Sequence, residues 1–312
     1  MMRLGLCLLG VLAASTYSAP ASAASGLHRI GPFPGELRSD STRFLSAVDG
    51  KGDVVAFDVT TRRMRTVPVQ PGCQATGMGP GRLVFSCSHP DPSQLAAGST
   101  LDLLTGRVAS LPSVNRASFR DADGAYYEAS GSEWARVRVF GYHVSRPAFV
   151  RLSTGEISSG PGSDRRRRAD LDREGLTRKN CSPVLRPQVP DDQAPGDVPG
   201  ELAVNGNRAA SVTYASSGAL DSGRVMLYGC GARERIVRRC VRVRCADVAL
   251  SARQLVWVES PPTPVRSRIQ VMDLRTGRTR SIGVKGSVQL RRAQDRFFAS
   301  HAGGLSEVRL GD

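Results

Sequence analysis

Short apolar runs alternate with compact polar turns along most of the chain. Four turns share a pattern in which the fourth residue is Thr and the next is Gly or Arg, and they occupy Asp58–Arg63, Asp102–Arg107, Arg151–Glu156 and Asp273–Arg278. Glycine accepts the left-handed backbone angles of a tight turn, and Asp and Thr oxygens accept hydrogen bonds from nearby N–H groups. Each copy therefore predicts two antiparallel strands joined by a hairpin turn.

The spacing of these turns predicts a repeating architecture. Their first residues lie 44, 49 and 122 residues apart. A degenerate copy of the repeat fits into the long interval, because Val225–Gly229 and Glu234–Val237 have the same strand-turn-strand pattern. Units of ~40–50 residues with about four strands each are typical of β-propeller blades.

Two further apolar runs fix the phase of the repeat. Leu83–Phe85 begins ten residues after Cys73, and Leu255–Trp257 begins ten residues after Cys245. Both runs are apolar at consecutive positions, as expected of strands whose two faces are covered by neighbouring sheets.

The two ends of the chain predict how the ring closes. Arg296–His301 and Leu305–Leu310 predict two strands of a last blade that lacks its outer strand, and Leu27–Ile30 can supply that strand. We therefore predict an all-β fold, a β-propeller of six blades of four antiparallel strands, closed by an N-terminal strand. Five or seven blades and an open β-sandwich are the alternatives.

Residues 1–23 have the pattern of a secretory signal peptide. Arg3 precedes the apolar stretch Leu4–Ala14, and Ala21 and Ala23 place small residues where signal peptidase cleaves. The apolar stretch is shorter than the ~20 residues that span a bilayer, so no transmembrane anchor is expected. The expected mature chain, residues 24–312, is one propeller domain of an exported protein that is secreted or associated with the cell envelope.

Removal of the signal peptide takes away Cys7 and leaves six cysteines, which are Cys73, Cys87, Cys181, Cys230, Cys240 and Cys245. Disulfides are the expected state of cysteines in an oxidising compartment. Proximity in sequence favours Cys73 with Cys87 and Cys240 with Cys245, which leaves Cys181 with Cys230, although sequence alone leaves the pairing open. No two cysteines have the CxxC spacing of a zinc site, and we expect no metal and no cofactor.

The Asp-x-x-Thr-Gly turns between strands, behind a signal peptide, resemble the repeats of the TolB-like and WD40-like exported propellers. The resemblance extends over the mature chain except for residues 160–200, and the copy at Val225–Val237 departs from the motif because it lacks the Asp and the Thr-Gly pair. TolB-like propellers are binding platforms that serve partners in the cell envelope. The resemblance therefore implies a binding function.

Residues 160–200 interrupt the repeat. The segment contains six prolines and few large apolar residues, which predicts a loop inserted between two blades. Its run Arg165–Arg168 suggests a polyanion site, but seven acidic residues offset eight basic ones, which favours a solvated loop. A disulfide at Cys181 would hold this loop over one face of the propeller, where long loops commonly carry binding function.

The net charge of +15 suggests a polyanionic partner. The last third of the chain contains a basic stripe made of Arg235, Arg238, Arg239, Arg242 and Arg244. The alternation in Val241–Arg244 predicts an outer blade strand with arginines on one side. Outer strands carry charge to prevent aggregation, and the functional alternative is attraction to an anionic envelope polymer. Aromatic residues that would stack bases do not interleave with the stripe, so a nucleic-acid partner is not expected. We expect a monomer.

The sequence favours binding over catalysis. It contains no GxSxG elbow, no HExxH motif and no phosphate-binding glycine-rich loop, and we assign no catalytic residue. Propeller active sites assemble at the central channel from one residue per blade and leave no short motif. A channel-site hydrolase or lyase acting on an extracellular glycan or ester is therefore the alternative. The inner strands predicted at 75–79, 114–118, 247–251 and 288–291 are poor in Asn, His and carboxylates, which favours a non-enzymatic binding propeller with a protein or polymer partner.

Overall fold

The computed structural model describes residues 26–40, 42–88, 91–119, 121–141, 144–158, 165–173, 198–206, 208–214, 222–229, 235–261 and 265–309. The predicted signal peptide and the expected Cys181–Cys230 pair lie outside these residues. Within them, no helix is long and apolar enough to cross a membrane.

The described strands form six four-stranded antiparallel sheets, each of which is one blade. Blade 1 consists of β2 (Arg38–Ser39), β3 (Phe44–Val48), β4 (Val54–Asp58) and β5 (Arg63–Val67). Blade 2 consists of β6 (Cys73–Gly79), β7 (Arg82–Cys87), β8 (Gln94–Asp102) and β9 (Val108–Asn115). Blade 3 consists of β10 (Gly124–Ser130), β11 (Trp134–Gly141), β12 (Val144–Arg151) and β13 (Ile157–Ser158).

The second half of the chain repeats this order. Blade 4 consists of β14 (Val198–Asn205), β15 (Arg208–Tyr214), β16 (Ser222–Gly229) and β17 (Arg235–Val241). Blade 5 consists of β18 (Arg244–Leu250), β19 (Gln254–Ser260), β20 (Arg266–Asp273) and β21 (Thr279–Lys285). Blade 6 consists of β22 (Val288–Ala293), β23 (Arg296–His301), β24 (Gly304–Arg309) and the N-terminal strand β1 (Gly26–Pro32). A 3₁₀ turn, Arg116–Ser118, and the helix α1 (Arg165–Arg173) complete the described elements.

The N-terminal strand closes the ring, as the sequence predicts. Strand β1 pairs antiparallel with β24, with Leu27 opposite Val308 and Arg29 opposite Ser306. The all-β propeller fold is therefore confirmed, and the six sheets of the described residues are consistent with the predicted six blades and their closure by an N-terminal strand.

The repeated turns form the predicted hairpins between the third and fourth strands of a blade. In the turn after β20, the Asp273 carboxylate accepts hydrogen bonds from the backbone N–H groups of Arg275 and Thr276 at 2.9 and 2.7 Å. Gly277 lies in the left-handed region, with φ 72°, whereas Arg62 takes that conformation in the first copy, with φ 58°. The shared sequence therefore encodes one local geometry.

Apolar clusters fill the boundaries between neighbouring blades, because both faces of each sheet are buried. Five of the clusters in the described part of the chain join side chains of two blades, as shown by the pairs Phe44 and Leu83 (blades 1 and 2), Val84 and Tyr127 (2 and 3), Val225 and Trp257 (4 and 5), Val258 and Phe297 (5 and 6), and Phe57 and Phe298 (6 and 1). Burial of such side chains stabilises the fold by about 1.5–3 kcal/mol each.

The boundary between blades 3 and 4 differs, because the helix α1 covers the face of blade 3 there. Leu171 of α1 is fully buried against Trp134 and Phe149 of blade 3. Arg167 lies over the Trp134 ring at 5.9 Å and donates a hydrogen bond to Ser158 Oγ at 2.8 Å. The sequence analysis expected a loop here, and the structure instead forms a helix that packs through one apolar residue and one arginine.

A buried ion-pair network joins the last blade to the first. Glu307 on β24 is 9% exposed, and its carboxylate accepts hydrogen bonds from Arg296 of blade 6 at 2.7 Å and from Arg62 of blade 1 at 2.9 Å. Burial raises the pKa of Glu307, but the two arginines outweigh that effect and hold the pKa below its ordinary value. The ring closure thus combines backbone pairing with a charged contact between blades 6 and 1.

We expect Glu307→Gln to lower the free energy of unfolding by about 1–3 kcal/mol, because two partly buried arginines lose their anionic partner. Urea unfolding would measure the loss. Glu36→Gln is the control, since its carboxylate is 62% exposed and should contribute less than about 1 kcal/mol. Equal stability of the Glu307 variant and the wild type would contradict the role of this contact.

Asp58 makes the stability sensitive to acid. The Arg43 side chain donates two hydrogen bonds to the carboxylate, which together with backbone N–H donors lower its pKa to about 2. In the unfolded chain the Asp58 carboxylate is protonated as the pH falls through its ordinary pKa, whereas in the folded chain it is protonated only near pH 2. The stabilisation from this ion pair is therefore complete above about pH 4 and is lost as the pH falls towards 2.

We expect wild type to lose more stability than Asp58→Asn between pH 5 and pH 2, measured by urea unfolding at each pH.

Candidate functional site

Two disulfides lie among the described residues, and both match the expected pairs. Cys73 and Cys87 are directly opposite in β6 and β7, with a Cα–Cα distance of 3.9 Å. Cys240 at the end of β17 bonds Cys245 in β18, across a Cα–Cα distance of 5.9 Å. The second disulfide is buried and joins blade 4 covalently to blade 5.

The inner strands around the central channel are joined by side-chain hydrogen bonds from one blade to the backbone of the next. The Arg38 guanidinium donates to Ala75 O at 2.9 Å, and the Thr76 hydroxyl donates to Tyr127 O at 2.5 Å. These bonds join blade 1 to blade 2 and blade 2 to blade 3. A Cβ on Gly77 would overlap the backbone of blade 3, so glycine permits this close approach.

The same arrangement continues on the other side of the ring. Asp247 Oδ2 accepts the Leu290 N–H at 2.8 Å, which joins blade 5 to blade 6. Gln289 Oε1 accepts the Leu37 N–H at 2.7 Å, which joins blade 6 to blade 1. We call these four bonds the inner girdle, and its side chains hold the blades together at the channel.

One inner-strand carboxylate, Glu128, was missed in the sequence, whereas Asp247 lies in the inner strand that the sequence predicts at 247–251. The inner strand of blade 3 is Gly124–Ser130 rather than 114–118, which belong to the end of β9 and the 3₁₀ turn. Its ladder shifts register around Glu128, and the ladder of β18 shifts around Asp247. A bulge of this kind turns one side chain out of the regular alternation, so the pattern of apolar residues gave no signal for it.

Both of these carboxylates are occupied by protein groups. Glu128 is paired with Arg136 and Arg138 at 2.9 and 2.8 Å, and Asp247 is bound to the Leu290 N–H and lies 3.5 Å from Arg291 Nη1. Among the described residues, no three His, Cys, Asp or Glu side chains are grouped to hold a metal ion. The observed contacts give both carboxylates a structural role.

The structure divides the five predicted arginines between different places. Arg235, Arg238 and Arg239 lie on β17, the outer strand of blade 4, as expected. The strand ends at Val241, so the prediction of one strand through Val241–Arg244 is wrong. Arg242 has φ 61° in a tight connection closed by the neighbouring disulfide, and Arg244 begins the inner strand of blade 5.

Antiparallel order places several of these residues at one face of the ring. In blades 4 and 5 the first and third strands begin, and the second and fourth strands end, at the same face, which we call the upper face. Exposed basic residues at this face of blades 4 and 5 form the upper basic patch, which consists of Arg239, Arg242, Arg244, Arg266, Arg268 and Lys285. Arg235 lies at the opposite end of β17, about 20 Å along the strand.

Basic residues of the upper basic patch also stand directly opposite other basic residues. Arg239 faces Arg224 across β17 and β16, and Arg266 faces Lys285 across β20 and β21. Like charges in such positions destabilise a sheet. Two valines beside them, Val241 and Val265, are 70% and 69% exposed.

One carboxylate, that of Glu259, lies beside the patch. Glu259 is 6% exposed and accepts hydrogen bonds from Arg238 at 2.8 Å and from Gln270 at 2.9 Å. Arg238 is therefore engaged in joining blade 4 to blade 5, and Arg268 stands directly opposite the same carboxylate across β19 and β20. The patch thus combines exposed basic side chains with one buried carboxylate and two exposed valines.

The described residues form a β-propeller, and solved structures share this fold. The β-propeller domain of the Trilobed protease from Pyrococcus furiosus is 9% identical, with 91% of this chain and 95% of that chain covered and a TM-score of 0.51. A putative TolB from Agrobacterium tumefaciens is 11% identical, with 90% and 91% covered and a TM-score of 0.42. The Cps50 (Swd1) β-propeller domain from Myceliophteria thermophila is 13% identical, with 94% and 100% covered and a TM-score of 0.42.

At 9% identity, the likeness to the Pyrococcus domain shows a shared propeller fold and says nothing about activity. No protein-family model matches the chain, and no curated protein matches it in sequence. Inferences about function therefore rest on the geometry of the upper basic patch.

We expect Asp247→Ala to lower the free energy of unfolding by about 1–3 kcal/mol, because it removes the acceptor of the Leu290 N–H. Asp247→Asn should lose less, since its amide oxygen can still accept that bond. Asp295→Ala, at an exposed turn of blade 6, which contains Leu290, is the control. If Asp247→Ala and Asp295→Ala unfold at the same urea concentration, the girdle contributes nothing.

Proposed function

We propose that the protein is an exported, non-enzymatic binding propeller that holds an anionic polymer of the cell envelope on its upper basic patch. The observation that carries this proposal is the like-charge pair of Arg266 and Lys285 at that patch, both exposed and directly opposite each other. Cross-strand repulsion costs folding free energy, and a bound polyanion relieves it by supplying negative charge to both members of the pair. The release of counterions from the polymer adds to the attraction.

The chemistry of the patch favours a flexible polymer with acidic groups at intervals. Exposed guanidinium groups pair with phosphate or carboxylate through two parallel hydrogen bonds. Val241 and Val265 offer aliphatic contacts between the charges. No aromatic side chain belongs to the patch, so it lacks the platforms on which single-stranded nucleic acids stack.

Export of the protein rests on two features. Residues 1–23 have the pattern of a signal peptide, and the two disulfides in the structure are compatible with an oxidising compartment. A protein exported in this way would meet anionic polymers at the cell surface. The contact that the sequence analysis expected at a Cys181-tethered insertion lies outside the described residues.

The channel-site hydrolase or lyase receives less support. Such an enzyme needs acidic side chains free to exchange protons with a substrate. Glu128 and Asp247 are instead bound by arginines and a backbone N–H. These contacts support a structural use of the inner strands and leave the outer surface for recognition.

We expect the triple variant Arg239→Gln, Arg242→Gln, Arg266→Gln to bind long-chain polyphosphate at least ~10-fold more weakly in low salt. The slope of log K against log salt should become shallower by about two to three, because each neutralised contact contributes ~0.7–0.9. Titration of fluorescent polyphosphate across a salt series would measure both quantities.

The matched control is Arg253→Gln, Arg275→Gln, Arg278→Gln, three exposed arginines at the opposite face of blade 5. It lowers the net charge equally and should retain wild-type binding. Equal weakening by both triple variants would show non-specific attraction to net charge and would overturn the assignment of the patch. Binding that does not depend on salt would instead favour a protein partner.

A further inference from the structure

A cavity of about 190 Å³ lies at the ring closure, between the N-terminal strand and the β23–β24 hairpin. We call it the closure pocket. It is lined by Leu27, Arg29, His301, Ala302, Gly304 and Ser306. It exists only where β1 is paired with β24, because it takes residues from both strands.

The strand register brings three polar groups to one side of this sheet. Arg29 stands directly opposite Ser306, and His301 stands opposite Gly304. Directly opposite residues project from the same face of an antiparallel sheet. Ser306 is 2% exposed, and its Oγ lies 3.0 Å from His301 Nε2.

Glycine at position 304 keeps the cavity open beside the arginine. A Cβ placed on Gly304 would lie 3.9 Å from Arg29 Nε, so the guanidinium passes over this glycine. Leu27 and Ala302 supply the apolar part of the lining. The cavity therefore combines one cation, a hydroxyl–imidazole pair and a small aliphatic wall.

The charges around the closure pocket are positive. In the described part of the chain, the Arg29 side chain has no hydrogen-bond or ion-pair partner. Blade 5 packs against this face through Val284 of β21, and the neighbouring charged residue there is Lys285. On β24, the carboxylate of Glu307 alternates to the other face, where Arg62 and Arg296 hold it.

His28 also alternates to that other face, opposite Glu307. His301 is therefore the titratable group inside the closure pocket. Burial, and after it the charge of Arg29, lowers the pKa of His301 below its ordinary value and so favours the neutral imidazole. No carboxylate lines the pocket.

We propose that the closure pocket binds the carboxylate of a small aliphatic acid, with Arg29 as its principal partner and Leu27 and Ala302 against its carbon chain. The planar guanidinium matches a carboxylate through two parallel hydrogen bonds. When His301 donates its Nε2 proton to Ser306 Oγ, the serine hydroxyl is free to donate to the ligand. The pocket lining contains no residue of the upper basic patch, and this proposal does not rest on the polymer proposal.

A ligand in this pocket would contact both β1 and the β23–β24 hairpin, with which β1 pairs. Because it binds only the closed ring, it raises the stability in proportion to its occupancy. The negative charge of the bound carboxylate favours the protonated form of His301, so binding of the ligand is coupled to uptake of a proton. Affinity is therefore expected to rise as the pH falls from about 7.5 to about 5.5.

The test uses the mature chain, sodium propionate as the probe and sodium chloride at equal ionic strength as the reference. We expect propionate to raise the Tm with saturation, and to raise it more at pH 5.5 than at pH 7.5. Arg29→Gln should remove the rise or weaken the apparent Kd at least ~10-fold. His301→Asn should keep the rise at pH 7.5 and lose its pH dependence.

The matched control is Arg309→Gln, which removes one exposed arginine from the far end of β24. It should respond to propionate as wild type does, and circular dichroism should show that all three variants fold. A response to inorganic phosphate without one to propionate would overturn the carboxylate assignment. An unchanged propionate response in Arg29→Gln, or no response in wild type, would overturn the site.

Discussion

A blade of four strands has two apolar faces, and it buries both only when it lies between two other blades. The rest of the fold depends on this constraint, because a ring of such blades is stable only when the last blade meets the first. Here the pairing of β1 with β24 supplies the closing contact, and Phe57 packs edge-on against Phe298 across the boundary at 6.0 Å. Glu307 then adds a charged contact that requires blades 6 and 1 to be correctly placed.

The boundary between blades 3 and 4 shows what happens where the apolar contact is interrupted. The face of blade 3 there carries the pairs of Glu128 with Arg136 and Arg138, next to Trp134. Helix α1 covers that tryptophan with Leu171. An insertion in the chain thus replaces part of a blade contact, while the inner girdle and the Cys240–Cys245 disulfide hold other boundaries.

Local turn chemistry explains why so much of the fold could be predicted. A turn such as Asp273–Arg278 contains its own hydrogen-bond acceptor and its own left-handed glycine, so it forms the same hairpin wherever it occurs. The closing role of Leu27–Ile30 followed from counting strands. Neither inference required knowledge of distant contacts.

The errors arose where tertiary contacts decide the structure. The segment Gly124–Ser130 lacks a regular apolar alternation, so its role as an inner strand and the bulge at Glu128 gave no signal. Helix α1 depends on the burial of Leu171 against another element. The alternation in Val241–Arg244 imitates a strand, yet a disulfide between its flanking residues forces a connection between blades. The upper basic patch was predicted only in part. The sequence indicated Arg239, Arg242 and Arg244, whereas Arg266 and Lys285 join them only because blades 4 and 5 are adjacent in the ring.

Hydrogen–deuterium exchange with and without polyphosphate in low salt would show whether the upper ends of blades 4 and 5 bind an anionic polymer, as proposed. We expect slower exchange at the end of β17, the start of β18 and the start of β20, with the opposite face of blade 5 unchanged. Slower exchange confined to α1 or to the lower turns, or no change anywhere, would contradict it.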